Sequence, residues 1–283
     1  MDTPVDPLFS LLQPERLTAI VDIGANPIDG DPPYKSMLQK RLCHVVGFEP
    51  QPEALASLNA RKTQCEMYLP YVVGDGNSAR LRICRAPGMT SLLRPDQRML
   101  THFRGFTDWG QVINEIAVST QRLDDISELE ALDFLKIDIQ GSELSVFRHG
   151  HERLRGAVAI QTEVSFLPLY EGQPTFGDID LELRQQGFVP HTFPAIKKWM
   201  IQPMMTDHPH AALNQLLEAD IVYVRDFTQP EKMNTEQLKH LALIAHHCYG
   251  SWDLTVNCIY HLTARHACPA DSLAQYIALM RQP

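Results

Sequence analysis

Residues Leu17–Gly30, LTAIVDIGANPIDG, decide the fold. LTAIVDI is apolar on both faces of an extended chain, as a strand covered by helices on both sides must be. The run stops at Gly24. Pro32-Pro33 then precede a helical stretch, YKSMLQKRL, and proline suits a first helical turn. Strand, turn and helix in this order are the start of a βαβ unit. Further apolar runs continue the alternation at His44–Phe48, Met67–Val73, Ala79–Cys84, Phe134–Ile139, Ala157–Val164 and Ile221–Val224. Helix signals lie between them: EALASLNARK after Pro52, ELSVFRHG after the candidate N-cap Ser142, and Ile179–Gln186 before Gly187. The expectation is an α/β fold with helices on both faces of a largely parallel sheet.

Three strand ends carry chemistry. Gly24 has no Cβ, so the backbone after the first strand can approach a ligand closely. It is not the dinucleotide fingerprint GxGxxG, because Pro27 follows Asn26. Glu49 ends the second strand in GFEPQPEAL. A carboxylate there can accept two hydrogen bonds from a ribose diol. In FLKIDIQGSEL, Lys136 and Asp138 share one face by the period of two, and Asp138 lies near the carboxyl end of its strand. Open α/β sheets bind ligands at those ends. Each feature alone also fits an ordinary strand rim or turn; the three together point to a site.

Two segments depart from the alternation. Arg85–Gln111 holds Pro87-Gly88, Pro95, Gly105 and Gly110 with Phe103, Phe106 and Trp109. A connection this long reads as a lid or binding loop. After Asp226 only helical patterns remain, so the chain divides into a sheet domain, residues 1–227, and a C-terminal helical extension, 228–283. In the extension Leu238, Leu241, Ala242 and Ala245 recur at helical steps, as do Ile259 and Leu262, and Tyr276, Ile277 and Met280. Such faces must dock on the chain's own sheet or form a homodimer.

Composition narrows the partners. The 283 residues are 44% hydrophobic and 21% charged, enough for a packed core and too apolar for wholesale disorder. A net charge of -9 argues against a phosphate-driven nucleic-acid binder. No apolar run is long enough for a membrane span. The N-terminus has no basic start and does not read as a secretory signal. The 6 cysteines form no CxxC pair, so reduced thiols in a cytoplasmic protein are the simpler expectation. The tail histidines, including His261 and His266, lack metal spacing, and no metal is expected.

VDIGAN, GFEPQPEAL, LDDI (Leu123–Ile126), FLKIDIQGSEL, and QTEV followed by FLPLYEGQPTF together resemble the FkbM-type family of S-adenosylmethionine-dependent methyltransferases. The resemblance covers about residues 19 to 226. It implies the class I methyltransferase fold, a Rossmann-like seven-stranded sheet of order 3-2-1-4-5-7-6 with the last strand antiparallel. It also implies O-methylation of a sugar, glycan or secondary metabolite. By position, Asp22, Gly24 and Asn26 would surround the methionine part of the cofactor. Glu49 would hold the ribose, and Gly74-Asp75 would lie near adenine. Ala25, Asp29, Tyr34, Pro50 and Ser91 complete the cofactor side, and Asp138 would stand beside the reacting methyl. Two positions depart from the family pattern: Pro27, where a second glycine is common, and Gln140, where an acid is frequent.

A hydroxyl acceptor is a weak nucleophile at neutral pH, so a general base is expected. Asp138, Glu163 and His191 are the candidates near strand ends. The alternatives are an NAD-dependent oxidoreductase, which lacks its fingerprint here, and a non-catalytic α/β domain that recruits partners through the tail.

Overall fold

The computed structural model describes residues 6–26, 30–207 and 212–281. Pro27 and Asp29 lie outside the described residues. The strands are β1 (Thr18–Ile23), β2 (Cys43–Phe48), β3 (Glu66–Leu69), β4 (Val72–Val73), β5 (Ser78–Cys84), β6 (Val112–Gln121), β7 (Phe134–Ile137), β8 (Ala159–Ser165), β9 (Phe188–Trp199) and β10 (Gln215–Arg225). The helices are α1 (Pro7–Leu12), α2 (Lys35–Gln39), α3 (Pro52–Arg61), α4 (Gln97–Leu100), α5 (Phe106–Trp109), α6 (Glu143–Arg148), α7 (His151–Leu154), α8 (Phe176–Gln185), α9 (Thr235–Tyr249), α10 (Trp252–Ala264) and α11 (Ser272–Met280).

The apolar run around Val21 becomes the central strand of a 7-stranded sheet ordered β3-β2-β1-β7-β8-β10-β9. In chain order within that sheet this is 3-2-1-4-5-7-6. The pairs from β3 to β8 are parallel, and the last strand in sequence, β10, runs antiparallel to both neighbours. This is the class I methyltransferase topology. Alternate residues of each strand enter opposite cores. Ile20, Val45, Phe134, Ala159 and Val222 meet α1, α2 and the C-terminal helices. Val21, Phe48, Leu135, Ile160 and Ile221 meet α6, α7 and α8.

The tail helices bury their apolar stripes on the chain's own sheet. Leu238, Leu241, Ala242 and Ala245 of α9 and Ile259 and Leu262 of α10 join the core that Ile20 and Val222 enter. Tyr276 of α11 joins it too, while Met280 packs against it only partly buried. Each such large side chain contributes about 1.5–3 kcal/mol. The start of α9 is fixed by a capping box between Asn234 and Gln237, and its end by Gly250 at φ 60. The stripes of α9 and α10 are therefore occupied within the chain. Among the described residues no helix is long and apolar enough to cross a membrane.

Three sequence expectations change. The run Met67–Val73 is two strands, broken around Pro70, whose nitrogen has no proton for a ladder. Its second half, β4, and the run at Ala79–Cys84 leave the main sheet and form a 3-stranded sheet, β4-β6-β5, with Val112–Gln121. The sixth strand of the main sheet is instead β9, hidden in the sequence by Pro190, Pro194 and its half-exposed edge position. The irregular segment Arg85–Gln111 folds into short helices and turns, and its Phe103, Phe106 and Trp109 pack with Leu169, Tyr170 and Trp199.

Candidate active site

The carboxyl ends of β1, β2 and β7 open into a cavity of about 680 Å³ that extends to β8, β9 and β10. Asp22, Gly24, Ala25, Asn26, Tyr34, Glu49, Pro50, Ser91 and Asp138 line it, so nine of the sequence-derived residues meet in one place.

Asp22 is buried in β1, and its Oδ2 accepts from the Tyr34 hydroxyl at 2.6 Å. The Lys136 ammonium lies 3.3 Å from Asp22 Oδ1 and donates to the Gly24 carbonyl at 3.2 Å. Burial alone would lower the Lys136 pKa, but the Asp22 and Asp138 charges outweigh it and hold the ammonium above its ordinary value. Burial and the adjoining Asp22 charge push the Tyr34 phenol well up, so it remains a donor. Gly24 has φ 81, and a Cβ there would sit 2.0 Å from the Asp138 carbonyl oxygen. The glycine is thus required by the close approach of the β7 end, which differs from the ligand-contact reason that its sequence position suggests.

Glu49 is buried at the end of β2, and its Oε1 accepts the Gln51 N–H at 2.7 Å. Burial raises its pKa, and that backbone bond opposes the rise. Tyr68, Tyr71, Val72 and Val73 form the neighbouring wall. Gly74 and Asp75 do not line the cavity. They follow β4 out of the main sheet, where Gly74 N–H bonds Gln121 and Asp75 accepts from Asn77 and Thr120.

At the other end, Gln140 Nε2 donates to Asp138 Oδ1 at 2.9 Å and to Glu163 Oε2 at 2.8 Å. Ser91 Oγ donates to the Gln140 carbonyl at 2.7 Å. Glu163 is buried behind Gln140, outside the cavity lining, and its other oxygen is 3.1 Å from Lys197 Nζ. Lys197 also lies 3.6 Å from Glu218. Burial and the neighbouring carboxylates push Glu163 well up; burial raises Glu218 as well. Ser142 makes no side-chain cap on α6; instead the Glu143 carboxyl accepts from Ile139 and Gly141 N–H. Burial lifts Glu143 to about 7.

His191 stands apart. β9 runs in the direction of β8, so its far end, Trp199, reaches the cavity while His191 lies well before that end. There His191 Nε2 is 2.8 Å from Ser251 Oγ in the turn between α9 and α10, and burial lowers its pKa. The site also recruits residues that sequence reading did not assign: Lys197, Glu218 and Asp220 from the β9–β10 hairpin. The signal was the alternation Glu218-Ala219-Asp220 just before IVYV, which sets both acids on one face. Phe106, Trp109 and Trp199 add an aromatic wall.

Sheet topology and strand-end site together define an α/β methyltransferase. Residues 22–190 match the methyltransferase FkbM domain, and the chain belongs to that family. It is 30% identical over 166 residues to the 2-O-methyltransferase NoeI of Sinorhizobium fredii (strain NBRC 101917 / NGR234). That match spans 54% of this chain and 66% of NoeI. Among solved structures, magnesium protoporphyrin IX methyltransferase (ChlM) from Synechocystis PCC 6803 with bound SAM is similar at TM-score 0.39 and 9% identity, over 77% of this chain and 76% of that one. Methyltransferase FkbM from Methylobacillus flagellatus KT is similar at TM-score 0.36 and 13% identity, over 74% of this chain and 43% of that one.

Proposed function

We propose that the chain transfers a methyl group from S-adenosylmethionine to a hydroxyl of a sugar or secondary metabolite. One observation carries the reading: Asp22 and Glu49 at one end and Asp138 with the Trp109–Trp199 wall at the other line a single continuous cavity. Membership in a methyltransferase family removes the oxidoreductase alternative. The name of its relative NoeI, a 2-O-methyltransferase, favours oxygen as the acceptor atom.

The residues suit the cofactor chemically. Glu49 is a buried carboxylate with one oxygen bonded to its own turn, which leaves acceptor capacity for a vicinal diol. Asp22, held by Tyr34 and balanced by Lys136, suits the charged amino-acid end. Tyr68, Tyr71 and Val72 replace Gly74-Asp75 as the wall for a flat base. When bound, the cofactor supplies a methyl already activated on a sulfonium. The protein's own work is to align a hydroxyl and accept its proton. Asp138 is the base candidate that lines the cavity; Glu163 braces it through Gln140, and His191 has no part.

Thermal melts with S-adenosylmethionine, S-adenosylhomocysteine and NAD test the cofactor. Either adenosyl ligand at about 100 times its dissociation constant should add roughly 2.7 kcal/mol. Glu49→Ala should keep the fold and lose about 1.5–3 kcal/mol of S-adenosylhomocysteine binding by calorimetry. Methyl-labelled cofactor offered with a panel of saccharides and phenols then identifies the acceptor. Stabilisation by NAD and by neither adenosyl ligand would overturn the proposal.

A further inference from the structure

Gln140 follows β7 at φ 57, in the left-handed region that residues other than glycine, asparagine and aspartate seldom adopt. That backbone places its amide between two carboxylates. Nε2 reaches Asp138 Oδ1 at 2.9 Å and Glu163 Oε2 at 2.8 Å, and Oε1 accepts from the Tyr170 hydroxyl at 3.2 Å. The opposite amide orientation would set an oxygen against both carboxylates, so the nitrogen must face them. Two carboxylates brought together without a donor between them share a proton. Here a neutral double donor serves each one separately.

We propose that Gln140 is a positioning residue that holds the Asp138 carboxylate fixed at the cavity wall by separating it from Glu163. This rests on reading Asp138 as the group beside the transferred methyl. An acid in place of Gln140 would add a third carboxyl to the pair and remove the donors. The charged groups facing this unit come from several elements: Glu143 on α6, Lys197 on β9, Glu218 and Asp220 on β10, and Lys136 on β7. The amide bonds both carboxylates directly.

The test uses the full chain in two arms. Carbon-13 NMR of aspartate-labelled protein without ligand follows the Asp138 carboxyl, assigned by its loss in Asp138→Asn. Gln140→Leu should raise the Asp138 titration midpoint by about one unit. Calorimetry then compares the cationic S-adenosylmethionine with the neutral S-adenosylhomocysteine as the pH is lowered through that midpoint. Affinity for the cation should begin to fall about one pH unit higher in the variant than in wild type, a difference of up to about tenfold at and below the wild-type midpoint, while affinity for the neutral ligand should differ by less than about twofold. Gln140→Asn, whose shorter amide tolerates the backbone angle but cannot span both carboxylates, should show the same direction and replaces the leucine variant if that one does not fold. An unmoved Asp138 midpoint, or equal losses for both ligands, would mean that Gln140 only fills space. If wild type binds neither ligand, the cofactor reading fails, and the NMR arm still decides the role of Gln140.

Discussion

At the β1 end of the cavity, Asp22 sits between a hydroxyl and an ammonium, with Tyr34 at 2.6 Å and Lys136 at 3.3 Å. Asp22 there is balanced by a neutral donor and a positive charge. At the β8–β10 end, Lys197 stands among Glu163 and Glu218, and Asp220 pairs across from Glu163 in the sheet register. Burial raises both glutamates, so that end takes up protons where the first end holds fixed charge. A ligand with permanent charges needs the first environment, and a reaction that must accept a proton needs the second. The difference teaches that two ends equally rich in carboxylates can differ in how their charge is compensated, which is the basis on which separate roles are proposed for them.

The largest effect should come from the point where the two ends touch. A Cβ on Gly24 would collide with the Asp138 carbonyl at 2.0 Å, at a φ of 81 that strains any side chain. Gly24→Ala should cost about 2–5 kcal/mol of stability, measured by denaturant unfolding. It should weaken S-adenosylhomocysteine binding as well, because relief of the clash moves β7 away from β1. A variant of wild-type stability would show that the two strand ends are not rigidly joined.

That contact also marks how far the sequence could be read. The β1–β2 end is written in contiguous motifs, VDIGAN and GFEP, in which a strand and its turn carry the chemistry together. Asp22, Gly24 and Glu49 were therefore legible, and Lys136 and Asp138 followed from strand alternation. The β8–β10 end is assembled from strands whose patterning is blurred. β9 is an edge strand with two prolines, and only the last part of β10 is continuously apolar. Lys197 and Glu218 become site residues only through the antiparallel register of that hairpin. Gly74-Asp75 lie off the cavity lining for the complementary reason: the chain leaves the main sheet after β3, around Pro70.

The proton-holding character of the second end makes stability depend on pH. Glu143 moves from an ordinary value of 4.5 to about 7 on folding, because burial disfavours its charged form. Between those values the folded protein binds more protons than the unfolded chain, so stability falls as pH rises from 4.5 to about 7 and levels off above. Both backbone bonds reach Glu143 Oε1, an atom that glutamine retains. Glu143→Gln should therefore keep the turn and reduce the fall between about pH 5 and 7.5 by on the order of 2 kcal/mol. The rest of the fall, from Glu163 and Glu218, should remain. Denaturant midpoints across that range measure it, and an unchanged slope would assign the pH dependence elsewhere.

The smallest effect tests whether the tail belongs to the second end alone. Tyr249, the last residue of α9, donates its hydroxyl to Gln161 Oε1 at 2.9 Å, and Gln161 lines the cavity next in register to Lys136. The tail lies outside the residues that match the family, yet it supports the cavity floor. Tyr249→Phe removes one neutral hydrogen bond and should cost about 1 kcal/mol of stability. Gln161 borders open cavity, so water can replace the hydroxyl and keep the loss at that level. Affinity for S-adenosylhomocysteine should stay within about twofold of wild type, because Asp22 and Glu49, the partners proposed for the ligand, keep all their own contacts. A loss as large as that of Glu49→Ala would travel through Gln161 and Lys136 to Asp22. It would make the two ends one coupled network rather than two separately compensated sites.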